Sequence, residues 1–199
     1  MDSREEEMFF EYLTELKDAG YITDIIYQPE SFELSPERCV GASVTKRNDE
    51  VDKSIVLAKK HLYTADFDVT WDESAHGLFY WQEGGVYPNN FYPYRKSSHD
   101  SFIPFFAQQG SSLIDVKGEF IGRNNTSAIT FPINQKWLLS QGVYVQKVVV
   151  SLTEKGIFAR TFTPQSVVKS EVYKVGDKKG SSKLKYNYIS LEEYVCNRK

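Results

Sequence analysis

The sequence predicts an α/β domain, a central mixed β-sheet flanked by helices. Three observations predict it. Residues 1–20 carry helical periodicity, and so does "FPINQKWLLSQG" far downstream. "KKHLYTADFDVTW" alternates apolar and polar residues in the manner of a strand. "SLIDVKG" and "VYVQKVVVSL" are further strand runs, and strands mixed with helical stretches along one chain are the mark of this class.

In chain order, "DSREEEMFFEYLTELKDAG" reads as the first helix. Ser3 with Glu6 three residues later fits a capping box, acids crowd the first turns, and Gly20 is a fitting stop. Phe9, Leu13 and Leu16, flanked by Phe10 and Tyr12, form its apolar stripe. At about 100° per residue, Glu5 and Glu6 fall near that stripe, while Glu7, Glu11 and Glu15 point away. "YITDIIYQPESFEL" is one or two strands broken at Pro29, and the polar residues 35–53 read as a loop or short hairpin. Next comes one continuous strand, with Tyr63, Ala65, Phe67, Val69 and Trp71 on one face and Thr64, Asp66 and Asp68 on the other.

Residues 72–110 pack aromatics among Pro, Gly, Asn and Ser, and read as an inserted hairpin or ordered loop. In the strand "SLIDVKG", period two puts Leu113, Asp115 and Lys117 on one face and Ile114 and Val116 on the other. Charges on a buried face are costly unless paired or bound to metal, so this face is either solvated or a site. Pro132 suits a first helical position and Gly142 a stop, giving a helix of about ten residues. The strand "VYVQKVVVSL" follows, with "IFARTFTP" as a further strand candidate. The end reads as a hairpin around Asp177–Ser182 and a short terminal helix.

The 199 residues suit a single domain, 1–199, with 72–110 as an insertion and 166–199 as a C-terminal extension. Cys39 and Cys196 form no metal spacing or disulfide framework, which fits a reducing, cytoplasmic setting. No apolar run approaches the roughly 20 residues of a membrane span, and no signal peptide opens the chain. A net charge of −3 does not advertise a nucleic-acid binder, but the charge is segregated. Residues 1–16 hold six acids and one arginine, whereas 166–199 hold eight Lys/Arg and four acids. That end can present a basic surface on an acidic protein.

An inward acid on a helix, Asp66 on one strand, Asp115 and Lys117 on another form a coherent set. Carboxylates supply the hard oxygen ligands that Mg²⁺ takes, and the ion stabilises developing charge and activates water. A neighbouring lysine orients or deprotonates that water. His61, His76 and His99 show no metal spacing, and no glycine-rich phosphate loop or Ser/His/Asp motif is present.

"YTADF" at 63–67 and "IDVKG" at 114–118 resemble the two central motifs of the PD-(D/E)xK nuclease superfamily. Ala65 stands where the family pattern has Pro, and Asp66 keeps the acid. The opening "SREE" and "LKDAGYITDIIYQPESFEL" are similar to the start of small phage-encoded endonucleases and Holliday junction resolvases of that superfamily. The resemblance implies a restriction-endonuclease-like core. It also implies a Mg²⁺-dependent endonuclease of phage or mobile-element type that hydrolyses DNA, including branched or junction DNA, with Mn²⁺ as a substitute ion. On this comparison Glu6 is the helical acid, with Glu5 and Glu7 as neighbouring alternatives. Glu6, Asp66 and Asp115 hold metal, the Val116 carbonyl is a further ligand, and Lys117 acts on the attacking water. Gln135 or Lys136 falls where such enzymes carry a polar helper. Lys136, Lys147 and the lysines from 169 to 185 are the expected nucleic-acid contacts. A branched substrate would suit a homodimer, and a phage protein would work in the host cytoplasm. Two alternatives remain: an inactive nuclease fold serving as a binding or virion-structural module, and a member that acts on RNA.

Overall fold

Ser3 starts the first helix, α1 (Arg4–Asp18), by accepting the Glu6 N–H at 3.2 Å and donating its own hydroxyl to Glu6 Oε1 at 2.9 Å. The computed structural model to which this geometry belongs describes residues 1–46, 49–85, 104–119, 126–172, 174–175, 178–179 and 182–198. The expected stripe of α1 is its buried face: Phe9, Tyr12, Leu13 and Leu16 are fully covered, and Glu6 continues the row. Removing such side chains from water contributes roughly 1.5–3 kcal/mol each. Gly20, at φ +82°, ends the helix as expected.

After α1 come β1 (Ile22–Tyr27), β2 (Phe32–Ser35), β3 (Arg38–Lys46), β4 (Asp49–Ala58), β5 (His61–Tyr63) and β6 (Phe67–Trp71). A 3₁₀ turn (Glu73–Ala75), β7 (Tyr80–Gln82), β8 (Phe105–Ala107) and β9 (Ser111–Gly118) follow. The remainder is α2 (Thr126–Ser140), β10 (Val145–Val150), α3 (Gln165–Glu171), β11 (Lys174–Val175), β12 (Lys178–Lys179) and α4 (Leu191–Cys196). The central sheet has the order β1-β6-β9-β10. Its first two pairings are antiparallel and β9–β10 is parallel, so the sheet is mixed. A parallel pair needs a long crossover, and α2 lies in the one joining β9 to β10.

Each face of the sheet has its own core. On one, α1 packs against Phe67, Val69, Trp71, Ile114, Val116, Val148 and Val150, together with Phe158, Phe162 and residues of α3 and α4. On the other, Phe131 and Leu138 of α2 meet Leu34, Tyr63, Ala65 and Val145, with Leu113 partly buried beside them. The C-terminal residues are therefore part of the α1-side core: Val167, Leu191, Tyr194 and Val195 are buried in it.

Several sequence expectations change here. The continuous strand through 63–71 is two strands: β5 pairs with β2, and β6 joins the central sheet. Its buried row is divided, with Tyr63 and Ala65 in the α2-side core and Phe67, Val69 and Trp71 in the other. Within residues 35–53, Ser35 ends β2, and the strands from Arg38 onward form a hairpin longer than expected, β3–β4, paired from Arg38↔Ala58 to Lys46↔Asp49. Pro132 lies inside α2, which begins six residues before it, because apolar residues on both sides of the helix carry it past the proline. "IFARTFTP" forms turns rather than a strand, since Ile157 bonds back to Val149 and Thr161 to Ile157. The C-terminal hairpin pairs Lys174↔Lys179 and Val175↔Lys178, earlier than expected, and α3 was not expected. Of the 72–110 insertion, 86–103, His99 included, lie outside the described residues; the rest is no hairpin, because β7 and β8 pair in parallel, Tyr80↔Phe105 to Gln82↔Ala107.

Candidate active site

The site forms where β6 parts from β9. Their register ends at Phe67↔Ile114, and Asp66 N–H still donates to the Ile114 carbonyl at 2.9 Å. One pair further along β9, the Val116 N–H is past Phe67, the first residue of β6. The Asp66 side chain substitutes for the missing strand, and its Oδ2 accepts that N–H at 2.6 Å. In a strand the N–H and C=O of one residue point to the same side, so the Val116 carbonyl faces the same gap.

Asp115 is buried at 5% exposure on the α2 side of β9. The Tyr63 hydroxyl donates to its Oδ2 at 2.5 Å, and Lys117 Nζ forms an ion pair with its Oδ1. The same ammonium lies 4.0 Å from Asp66 Oδ2. The expected common face is therefore observed: Lys117 reaches both carboxylates. The Phe131 ring of α2 lies 6.0 Å from Lys117 Nζ and walls that side of the ammonium. Burial lowers the Lys117 pKa, against the pull of Asp66 and Glu6 and with the help of Lys147. Burial raises the Asp66 pKa, against the Val116 N–H and Lys117 and with Glu6 and Asp2 adding repulsion. Both shifts favour neutral forms and move the two groups toward each other in proton affinity.

Glu6 is close enough to be felt by Asp66 and Lys117, but its oxygens are engaged elsewhere. Oε2 accepts the Tyr27 hydroxyl at 2.9 Å and the Asp2 N–H at 3.1 Å, and Oε1 accepts from Ser3. Burial pushes its pKa up, yet these donors outweigh it and hold the carboxyl below its usual value. Glu5 also turns toward β9, and a Cβ added to Gly118 would meet its Oε1 at 3.2 Å. The first turn of α1 thus delivers two carboxylates to the end of the sheet. Among the described residues, no three His, Cys, Asp or Glu side chains stand together as a metal cluster. The close set is Asp66, Asp115 and the Val116 main chain.

Of the other expected residues, Lys147 is brought in: it stands opposite Asp115 in the β9–β10 register and is exposed. Gln135 is not, because its Nε2 donates to the Val145 carbonyl at 2.6 Å and fastens α2 to the start of β10. Lys136 is exposed on α2. His61 packs edge-on to Trp137, and His76 to Tyr80 and Trp81. Sequence reasoning missed Tyr63 and Tyr27, the hydroxyl donors to Asp115 and Glu6. The only local signal was that Tyr63 opens "YTADF". Among the described residues no helix is long and apolar enough to cross a membrane. Comparison with protein-family models, with curated proteins and with solved structures returns no match.

Proposed function

We propose that the protein is a metal-dependent phosphodiesterase acting on DNA, an endonuclease of phage or mobile-element type built on a restriction-endonuclease-like core. The observation that carries this reading is one ammonium, Lys117, held between a buried carboxylate, Asp115, and a partly buried one, Asp66, at the mouth of a split sheet. The donor set fits Mg²⁺ or Mn²⁺. It is all hard oxygen, and a cationic group, the Lys117 ammonium, already sits on Asp115 Oδ1 and within 4.0 Å of Asp66 Oδ2. Mg²⁺ is commonly held by one or two carboxylates and completes its shell with water, so Asp66, Asp115 and the Val116 carbonyl suffice. When bound, the ion would supply Lewis-acid stabilisation of phosphoryl charge and a more acidic water.

The chain's own residues do the remaining work. Tyr63 fixes one oxygen of Asp115, and the Val116 N–H fixes one oxygen of Asp66, so both acids are oriented in advance. Lys117, with its pKa lowered by burial, takes a proton at Nζ more weakly than a surface lysine, which suits it to exchange one with an attacking water. Its charge, with that of Lys147 on the neighbouring strand, offsets the phosphate. Phe131 limits water beside Nζ.

The test is cleavage of linear, single-stranded, flapped and four-way-junction DNA, and of single-stranded RNA, with Mg²⁺ or Mn²⁺. Asp115→Asn serves as the control. Expected is metal-dependent cleavage of at least one DNA by the wild type and none by the variant. No cleavage, together with no ion binding by calorimetry, would overturn the reading. Two observations favour a second reading, an inactive nuclease fold used as a binding module: Lys117 already neutralises the acids, and Glu6 is tied to Tyr27.

A further inference from the structure

We propose that two copies of this chain associate by laying the β3–β4 hairpin of each on the outer face of α2 of the other. The hairpin has no strand partner beyond itself among the described residues. Its described side chains are exposed on both faces, with only Ala42 half-buried. Yet it is patterned for burial. Val40, Ala42 and Val44 alternate along β3, and Ile55 stands opposite Val40, so these four share a face, and Lys53, opposite Ala42, puts a charged residue on it. Gly41 and Ser43, opposite Ser54 and Asp52, make the other, where Ser43 donates to Asp52 at 2.9 Å. A two-stranded ribbon alone in water is marginal at best. This one leaves Val40 43%, Ile55 44% and Leu57 66% exposed.

The helix α2 has the complementary surplus. Phe131 and Leu138 face the sheet, while Ile129, Ile133 and Trp137 follow at four-residue steps on the opposite side. They are 62%, 49% and 43% exposed. A helix apolar on both sides is a buried helix. Trp137 packs on His61, just beyond the end of β4 at Ala58, so helix face and hairpin root adjoin.

The occupant follows from this pairing. Each chain carries one ribbon face and one helix face, neither covered by the described residues of its own chain. An isologous contact covers both at once, because ribbon meets helix twice across a two-fold axis. The seven exposed side chains offer on the order of 700 Å² per protomer, against about 800 Å² per partner in a standard interface. Nucleic acid is a poor occupant, since phosphate contacts need an excess of Lys and Arg: α2 carries Lys136 alone, and Arg38, Lys46 and Lys53 of the ribbon are matched by Asp49, Glu50 and Asp52.

The experiment is sedimentation equilibrium on the full chain and on Ile133→Glu and Ile55→Glu, with circular dichroism confirming that each variant folds. The wild type is expected to be a dimer, and each variant to dissociate with Kd raised about thirtyfold or more. A mixture of Ile133→Glu with Ile55→Lys is expected to regain a dimer, because one ribbon–helix contact becomes an ion pair and the other stays native. A wild type that remains monomeric, or a dimer that survives both glutamates, would overturn the proposal. So would a monomer whose Ile55→Glu variant loses affinity for duplex DNA, which would make the ribbon a nucleic-acid arm. The readout needs no cleavage, so its failure is distinct from failure of the nuclease reading.

Discussion

Asp115 is a carboxylate with little water around it, and two groups compensate it, Tyr63 and Lys117. Deleting one partner of a buried ion pair typically costs about 3–5 kcal/mol. Lys117→Ala is therefore expected to melt well below the wild type in chelator. In the nuclease reading Mg²⁺ or Mn²⁺ restores much of that loss, since a ligand at a hundred times its Kd stabilises by about 2.7 kcal/mol. The wild type should gain less, because its ammonium competes for the same oxygens. Asp115→Asn should gain least. Thermal melts in chelator and in metal check this order, and a Lys117→Ala melt indifferent to metal would make the pair structural. A second residue gives a pH test. Ser151, Thr153 and Lys155 donate to Glu119 and hold its pKa at about 2, against 4.5 for a free side chain. A lowered folded-state pKa gives stability that is full above about 4.5 and is lost as pH falls toward 2. Glu119→Gln should flatten the acid limb of the stability profile in that window and leave the neutral region's slope unchanged, as denaturation at stepped pH will measure.

At the scale of elements, the legible ones are those whose two sides differ in chemistry. α1 buries one stripe, and β9 sets Ile114 and Val116 on one face against Asp115 and Lys117 on the other, so periods of 3.6 and 2 show in the sequence. The break at Ala65–Asp66 does not, because the apolar parity continues unbroken while the chain crosses from one core to the other. The start of α2 is hidden for a related reason: apolar residues on both sides leave no stripe, so Pro132 is the only local signal and it marks a beginning. Pro132 is exposed, and a proline within a helix forfeits an i→i−4 bond. Pro132→Ala is expected to stabilise by about 1–2 kcal/mol, the restored helix term of up to about 3 being partly offset by a freer unfolded chain. Gly156→Ala should act oppositely. An added Cβ would sit 2.6 Å from the Ser151 carbonyl oxygen and 2.7 Å from its nitrogen, and backbone cannot yield as a side chain can. A loss of about 1–3 kcal/mol is expected for such overpacking, read from the urea midpoint.

Over the whole molecule the candidate site was partly legible. Asp66, Asp115 and Lys117 were readable as short motifs, and the fold brings them together. Tyr63 was not, because its partner lies 52 residues away and a tyrosine in a strand reads as core. The charge distribution decides how this molecule would meet DNA. The chain is net acidic, so binding depends on which cations face the site and not on total charge. Lys147 faces it from β10 beside Asp115, whereas Lys136 sits on α2 with no shared register. Lys183 is already paired with Glu171, and Lys185 bonds the Ser182 carbonyl. Each phosphate neutralised contributes about 0.9 to the slope of log K against log salt on duplex DNA. Lys147→Ala should therefore lower the magnitude of that slope by about 1 and weaken binding evenly across sequences, while Lys136→Ala leaves it unchanged. Fluorescence anisotropy across a salt series, in Ca²⁺ to withhold cleavage, makes the comparison. If Lys136→Ala carries the change instead, the DNA path runs over α2, and that helix face is not free to receive a second copy.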